Sequence, residues 1–448
     1  MANKNKNLND AAKAKKDEFY TQLEDIEREL RHEEYRNFFK GKTILCNCDD
    51  PYESEFFKYF AMNFNALSLK KLIVTCYAGS PVAQTELNFD FGGSTDKKHR
   101  NEYAYKVVIN EFKDWNGDGR EDLEDIKHYI LTHNGCWERL QGNGDFRSAE
   151  CIEILKEADV VVTNPPFSLF REYVAQLVQY KKFFVIIGNI NSITYKEIFP
   201  LIQQNKIHIG YGMGRAVSGF MVPEYYSLHG TEAGINSEGK RIVATNQCLW
   251  YTNIPLKKYL EEIPLVCSYY ENPEKYPKYD NYDAIEVSKT AQIPYDYLPD
   301  KNLTNTNEND TISINQSINQ SINAFAMESW ACQSHSSTGT TQINSRLSVA
   351  LTSTETPAST LQEQVGIHKS TARTFTSGSS FGGRCNGVMG VPITFLDKYN
   401  PRQFEIVGAT ESEGKGFSNG LWIKESGIAQ PVVNGERKYK RIFIKRKM

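Results

Sequence analysis

The chain has 448 residues, of which 40% are hydrophobic and 12% aromatic, enough apolar side chain for two or three packed domains. A formal net charge of −3 excludes a polycation that coats nucleic acid over its whole surface, although local basic patches stay open. Nine cysteines without paired CxxC spacing argue against a zinc ribbon or a disulfide framework. With no secretory leader and no apolar run of membrane-spanning length, the expectation is a reduced, cytoplasmic protein with no membrane partner.

In chain order, residues 1–40 form an N-terminal segment in which 8–40 read as helix. Apolar residues in "DEFYTQLEDIERELRHEEYRNFF" recur near the 3.6 period among dense charges. Residues 41–205 read as an α/β domain. Gly41 precedes the strand in "KTILCNC", and Asp49-Asp50-Pro51 signals the start of the next helix. "KKLIVTCY" is a second strand and "YAYKVVINEF" a third. "ADVVVTNPPF" is a buried strand that stops at Asn164, followed by the helix "SLFREYVAQLVQYKK", the strand "KFFVIIGNIN" and the helix "ITYKEIFPLIQQNK". This alternation predicts a doubly wound, mostly parallel sheet.

Residues 206–300 are rich in Tyr, Gly and short strand-like runs such as "RIVATNQCLWYTNI". Residues 301–386 change character: Ser, Thr, Asn and Gln dominate, with a Ser-Ile-Asn-Gln repeat, so a flexible insertion is expected. Inside it, "STLQEQVGIHKSTARTF" has the spacing of a helix-turn-helix. Order is expected again over 387–448, a strand-rich segment with a basic end. Its run "RKYKRIFIKRKM" interleaves apolar residues with cations, and Lys438, Lys440 and Arg441 are candidate phosphate contacts.

The most informative stretch is Asn164-Pro165-Pro166-Phe167. The two prolines stiffen the backbone and cannot extend the sheet ladder. They would fix the Asn164 side-chain oxygen and the Pro165 carbonyl as two acceptors at the carboxyl end of a strand, where open α/β sheets bind ligands. Two converging acceptors suit an amino group, and Phe167 supplies a face for a planar ring. The fitting substrate is an aromatic amine such as the N6 amine of adenine, methylated without a metal or a covalent enzyme intermediate.

With this turn following a valine-rich strand, the chain resembles the S-adenosylmethionine-dependent amino-methyltransferases, whose signature is Asp or Asn, Pro, Pro, then Tyr or Phe. It resembles more closely the EcoRI-type adenine-specific DNA methyltransferase family, through "KKDEFYTQLEDIERELRHE", "ILCNCDDPYESEFFKYFA", "ADVVVTNPPFSLFREYV" and "GVMGVPITFLDKYNP". The resemblance covers roughly 15–297 and 387–448. It implies a Rossmann-like class I fold in 41–205 that binds the cofactor S-adenosyl-L-methionine, with target recognition beyond it. It also implies double-stranded DNA as substrate, a flipped-out base, and a restriction-modification setting in which a cognate endonuclease is a genetic partner.

On the cofactor side the resemblance implies Phe19, Tyr20 and Thr21 along the methionine pocket. Cys46, Asn47, Asp49 and Asp50 would stand in the first motif, with the following helix N-terminus facing a carboxylate. Asp145 and Phe146 in "GNGDFRS" would hold the cofactor's adenine. The chain departs from the wider class in two places: its first loop lacks glycine, and its second strand ends in Cys76-Tyr77 instead of an acidic residue.

Two further stretches stand apart. "DWNGDGREDLED" places Asp114, Asn116, Asp118, Gly119, Asp122 and Asp125 at calcium-loop positions, while the same letters spell a tight turn before a helix. "IGYGMGRAVSGF" is a glycine-patterned loop whose Arg215 is a candidate contact to DNA. Alternative readings are methyl transfer to RNA adenine or to a protein glutamine amide, and a catalytically inactive DNA-binding relative.

Overall fold

The computed structural model describes residues 20–48, 54–78, 103–133, 135–213, 216–222, 233–235, 241–244, 247–299, 387–410, 417–423 and 429–447. These belong to one contact unit, 1–299 with 385–448. The 301–386 insertion and its helix-turn-helix-like stretch lie outside the described residues, as do Phe19, Asp49, Asp50 and Arg215.

The elements run β1 (Tyr20–Thr21), α1 (Leu23–Leu30), α2 (Glu33–Phe39), β2 (Thr43–Asn47), α3 (Glu55–Met62), β3 (Lys71–Thr75), β4 (Tyr105–Ile109), α4 (Leu123–Thr132) and β5 (Trp137–Arg139). Then come α5 (Ala149–Glu157), β6 (Val160–Thr163), α6 (Phe170–Gln179), β7 (Phe183–Asn189), α7 (Phe199–Gln203), β8 (His208–Ile209) and β9 (Gly219–Met221). The strands that follow among the described residues are β10 (Ala233–Ile235), β11 (Arg241–Ala244), β12 (Cys248–Thr252), β13 (Ile285–Glu286), β14 (Met389–Pro392), β15 (Phe404–Ala409), β16 (Val432–Val433), β17 (Glu436–Arg437) and β18 (Arg441–Arg446), with short 3-10 turns between them.

An eight-stranded sheet in the order β5-β4-β3-β2-β6-β7-β12-β8 forms the centre. Neighbours from β3 through β2 and β6 to β7 are parallel. Both flanks are antiparallel: β4 against β3, β5 against β4, β12 against β7 and β8. The sheet is therefore mixed, parallel only at its middle. Alternating strands and helices in a sequence do not fix the direction from which each strand enters. Burial follows the pairing. β2 and β6 are buried at every residue, as strands covered on both faces must be, whereas β4 alternates between buried and half-buried.

The strand order reverses beside β2. From β2 the chain moves outward to β3 on one side and later returns to place β6 on the other. Such a reversal opens a crevice at the carboxyl ends of the two strands, which here are Asn47 and Thr163.

Several local expectations are corrected. Within the described part of the stretch expected as helix over 8–40, helix begins at Leu23 and breaks at Arg31-His32, because Tyr20 and Thr21 pair as a strand with Met221 and Phe220; residues 8–19 lie outside the described residues. The helix after β2 starts at Glu55, capped by Ser54 and not by the Asp49-Asp50-Pro51 signal. Ser54 Oγ accepts from the amides of Phe56 and Phe57 at 3.2 and 3.4 Å. The helix expected after β7 shrinks to a 3-10 turn over Ile190–Thr194 and the five residues of α7.

A separate four-stranded sheet, β13-β14-β18-β15, joins residues from before and after the insertion: Ile285 and Glu286 pair in parallel with Met389 and Gly390. Gly387 has φ +71°, and a Cβ there would stand 2.5 Å from the Pro299 nitrogen. The chain thus leaves and re-enters this unit at one point. Among the described residues, no helix is long and apolar enough to cross a membrane.

Candidate active site at the carboxyl ends of the central strands

Val160, Val161 and Val162 are fully buried, so β6 is anchored up to the residue before the turn. Its register against β7 runs through Thr163, opposite Ile186. The prolines then end the ladder. The Pro166 carbonyl accepts from Leu169 N at 3.0 Å and starts a 3-10 turn, Phe167–Leu169, that leads into α6. The Pro165 carbonyl is left out of that bond. Asn164 is half-buried, with its Oδ1 shielded from solvent, and Phe167 is half-buried.

One side of the turn is tied to β2. Thr163 Oγ1 donates to the Asn47 carbonyl, and Tyr173 on α6 donates its hydroxyl to Asn47 Oδ1. The Phe146 ring lies edge-on to Tyr173, with centroids 5.0 Å apart, and Gln176 Nε2 holds the Phe146 carbonyl at 3.0 Å. Asn47, Phe146 and Thr163, the residue before Asn164, are thus joined by one chain of contacts although widely separated in sequence. Cys46 is buried in the core. Cys48, the residue after β2, takes φ 72°. A loop without glycine therefore still adopts a left-handed step there, at a conformational cost that glycine would avoid.

The loop carrying Asp145 abuts the end of β3. Gly144 has φ +76°, and a Cβ would meet the Cys76 carbonyl at 2.1 Å, so this close approach admits only glycine. Ala78 N donates to the Asn143 carbonyl at 2.8 Å. Asp145 is engaged by Arg147, whose Nε and Nη2 donate to it at 2.9 and 2.7 Å. These bonds hold the Asp145 carboxyl below the ordinary carboxylate range. The acceptor expected to face an adenine amine is therefore already a partner of Arg147.

The other side of the turn is built from β1 and β9. Thr21 pairs with Phe220, whose ring meets Phe167 at 5.9 Å and 64°. Thr21 is buried, and its Oγ1 has no hydrogen-bond partner among the described residues. Tyr20 sits beside it, opposite Met221. Tyr173, Gln176 and Phe220 were missed from the sequence. Tyr173 reads there as one more apolar position on an amphipathic helix, and nothing local marks Phe220 at all.

The basic C-terminal residues divide. Arg441 turns inward onto Glu286, donating from Nη2 at 2.7 Å and from Nε at 3.0 and 3.2 Å, with both side chains largely buried. That differs from the phosphate contact expected of it: β18 offers its cations to both faces, and the inner face holds a carboxylate. Lys440 Nζ reaches Asn191 Oδ1 and Thr194 Oγ1 at 3.1 and 3.3 Å, on the turn that follows β7. Lys438 pairs with Glu436 at 3.0 Å.

In the calcium-like loop the carboxylates face the loop's own amides. Asp114 accepts from Gly117 and Gly119 at 2.7 and 2.8 Å, and Asp118 from Arg120 at 2.9 Å. Asn116 Oδ1 accepts from Asp118 N at 2.9 Å. Asp122 caps α4 in a capping box with Asp125, which also accepts from Trp115 N at 2.7 Å. Among the described residues, no group of three or more His, Cys, Asp or Glu is arranged to hold a metal ion.

Comparison with known proteins follows the same lines. The family described as adenine-specific methyltransferase EcoRI matches residues 7–337 and 384–447. Type II methyltransferase M.EcoRI of Escherichia coli is 40% identical over 443 residues, spanning 99% of this chain and 97% of that protein. Type II methyltransferase M.MgeORF184P of Mycoplasma genitalium is 28% identical over 98% of each chain. Type II methyltransferase M.MpnI of Mycoplasma pneumoniae is 34% identical over 65% of this chain and 78% of that protein. No solved structure matches the chain at a significant level. The chain belongs to the EcoRI family of adenine-specific methyltransferases.

Proposed function

We propose that this adenine-specific DNA methyltransferase binds its target base at the Asn164–Phe167 turn and takes the methyl group from S-adenosyl-L-methionine. The observation that carries the reading is the turn's position. It closes β6 at the reversal of strand order, flanked by Asn47, Tyr173 and Phe146 on one side and by Thr21 and Phe220 on the other. The central parallel strands serve as a Rossmann-like platform, with 41–205 assigned to cofactor binding and catalysis. Residues 206–300 and 387–448 are assigned to target recognition, with Arg215, Lys438 and Lys440 as candidate DNA contacts.

The cofactor suits the residues present. Thr21 Oγ1 is a buried polar atom without a partner among the described residues, beside the turn, where a polar end of a ligand would satisfy it. Tyr20 and Thr21 would line the amino-acid end. Asn47, Asp145 and the buried Phe146 would line the nucleoside end, with Phe19, Asp49 and Asp50 as further candidates. When bound, S-adenosylmethionine supplies an electrophilic methyl group.

The chain's own part is to present the amine. An adenine reaches this site only out of the base stack, so the base is flipped. Phe167 offers a face for its ring. Drawing the N6 hydrogens toward Asn164 Oδ1 and the Pro165 carbonyl leaves the nitrogen lone pair directed at the methyl donor. The setting that suits such chemistry is cytoplasmic DNA protected against a cognate endonuclease.

The test is labelled methyl transfer to duplex DNA, RNA and protein. Asn164→Ala is expected to lower transfer to duplex DNA by about 10²–10³-fold, with affinity for S-adenosylmethionine unchanged. Full activity of that variant, or label entering only RNA or protein, would overturn the reading.

A further inference from the structure

Helix α1 presents two carboxylates one turn apart, and both point into the molecule. Asp25 is fully buried, and its Oδ2 accepts from the amide and the hydroxyl of Ser218 at 2.8 and 2.9 Å. Arg28 pairs with its other oxygen. Glu29, also buried, accepts from the Tyr211 amide at 3.0 and 2.9 Å and from the Tyr35 hydroxyl at 2.7 Å. Gly210 permits this approach, since a Cβ there would stand 2.3 Å from Glu29 Oε1. Gln22, just before the helix, donates to Ser218 Oγ and to the Gly219 carbonyl, both at 3.0 Å. The Tyr211 ring stacks on His32 at 3.5 Å, and its hydroxyl donates to Glu34 at 2.8 Å.

One helix therefore grips both ends of the chain segment that begins at Tyr211 and ends at Ser218. Two residues further on is Phe220, the ring packed on Phe167 of the Asn-Pro-Pro-Phe turn. Buried carboxylates are costly unless hydrogen-bonded, and beside Arg28 and Tyr35 the partners of these two are the Tyr211 amide and the Ser218 amide and hydroxyl, all on one distant segment. The contacts are thus spent on where that segment sits.

We propose that Asp25 and Glu29 are positioning residues for methyl transfer: by clamping Tyr211 and Ser218 they fix β9, and with it the Phe220 ring that backs Phe167. This rests on the assignment of the Asn164–Phe167 turn as the adenine site. Neither carboxylate touches the reacting groups. The effect of Asp25 passes through Ser218 and that of Glu29 through Tyr211, and both reach the Phe220 ring.

The experiment compares Asp25→Ala, Ser218→Ala, Phe220→Ala and the Asp25→Ala/Phe220→Ala double variant with Asn164→Ala. The full chain is used with S-adenosylmethionine and duplex DNA. Single-turnover transfer is measured at saturating cofactor and DNA and normalised to titrated active sites, alongside cofactor affinity. Asp25→Ala and Phe220→Ala are each expected to lose between about tenfold and a hundredfold in rate per active site with cofactor affinity unchanged. The double variant is expected to be no slower than the slower single one. A purely structural role would lower the number of active sites and leave the rate of each at the wild-type value.

That outcome, or losses that multiply in the double variant, would overturn the proposal. Should Asp25→Ala fail to fold, Phe220→Ala decides: both carboxylates act through that ring, and a wild-type rate per active site there overturns the clamp. An inactive Asn164→Ala beside fully active clamp variants sinks the clamp alone. An active Asn164→Ala sinks the site assignment itself.

Discussion

Replacing Arg441 by Ala tests whether the cation at the start of β18 contacts DNA or holds the fold. Arg441 and Glu286 are 11% and 3% exposed at their side chains, joined by contacts of 2.7, 3.0 and 3.2 Å. The Tyr279 hydroxyl completes the carboxylate's surroundings, and burial together with Glu286 raises the Tyr279 pKa well above its ordinary value. Removing one member of such a pair leaves the other charged and buried, which costs about 3–5 kcal/mol. Equilibrium unfolding in urea measures the change, and the dependence of DNA affinity on salt measures the alternative. Each phosphate contact contributes about 0.9 to the slope of log K against log salt. The expected result is a loss of about 3–5 kcal/mol with the salt slope unchanged. Replacing Arg441 and Glu286 together by Leu is expected to recover much of the loss. A loss below about 1 kcal/mol, together with a salt slope shallower by about one, would refute this account and restore Arg441 to the DNA interface.

Other consequences concern the site's surroundings. Burial raises the Glu29 carboxyl from 4.5 to about 7, so the folded chain holds a proton there that the unfolded chain has lost. The stability this proton contributes is present below pH 4.5 and disappears as pH rises through 7, an effect of about 3 kcal/mol. Glu29→Gln is expected to abolish it in pH-dependent unfolding. The same variant uncovers the opposite trend of His208, which burial lowers to about 4 and whose stabilisation is present above pH 6.5 and lost on acidification toward 4. Gly188→Ala would drive a Cβ to 2.5 Å from the Phe170 ring and 2.9 Å from Tyr251, at the base of the helix that follows the Asn-Pro-Pro-Phe turn. A loss of about 1–3 kcal/mol in unfolding free energy is expected. Because Gly387 and Pro299 are in contact, excising 300–386 and joining the ends through a short glycine linker is expected to leave a cooperative thermal transition; loss of that transition would show that the excised part is needed for folding.

The reach of the sequence differs from feature to feature. "VVVTNPPF" is legible because every determinant is local: a continuous apolar run makes a doubly buried strand, and two prolines end it. The strands β2, β3, β6 and β7 are legible for the same reason. The cap of α3 is misread because Asp49-Asp50-Pro51 and Ser54 carry equally good local signals, and packing of Phe56 and Phe57 on the core selects the later one. The helix expected over 8–40 is misread at Tyr20 and Thr21, because periodicity does not register a partner strand some two hundred residues away, and their pairing with β9 overrides it. The partner of Arg441 is not legible, because a cation in a basic run looks exposed until Glu286 is brought beneath it.

By itself, then, the sequence determined the make-up of the tip of β6: an amide side chain, two prolines and an aromatic ring are four adjacent residues at the end of a buried strand. What surrounds that tip was decided only by tertiary structure. Asn47, Phe146, Tyr173, Thr21 and Phe220 come together through strand order, and strand order depends on which distant segments bury one another's apolar faces and satisfy one another's main-chain groups. The same long-range pairing decides the reach of α1, whose carboxylates have no meaning until Tyr211 and Ser218 are folded against them.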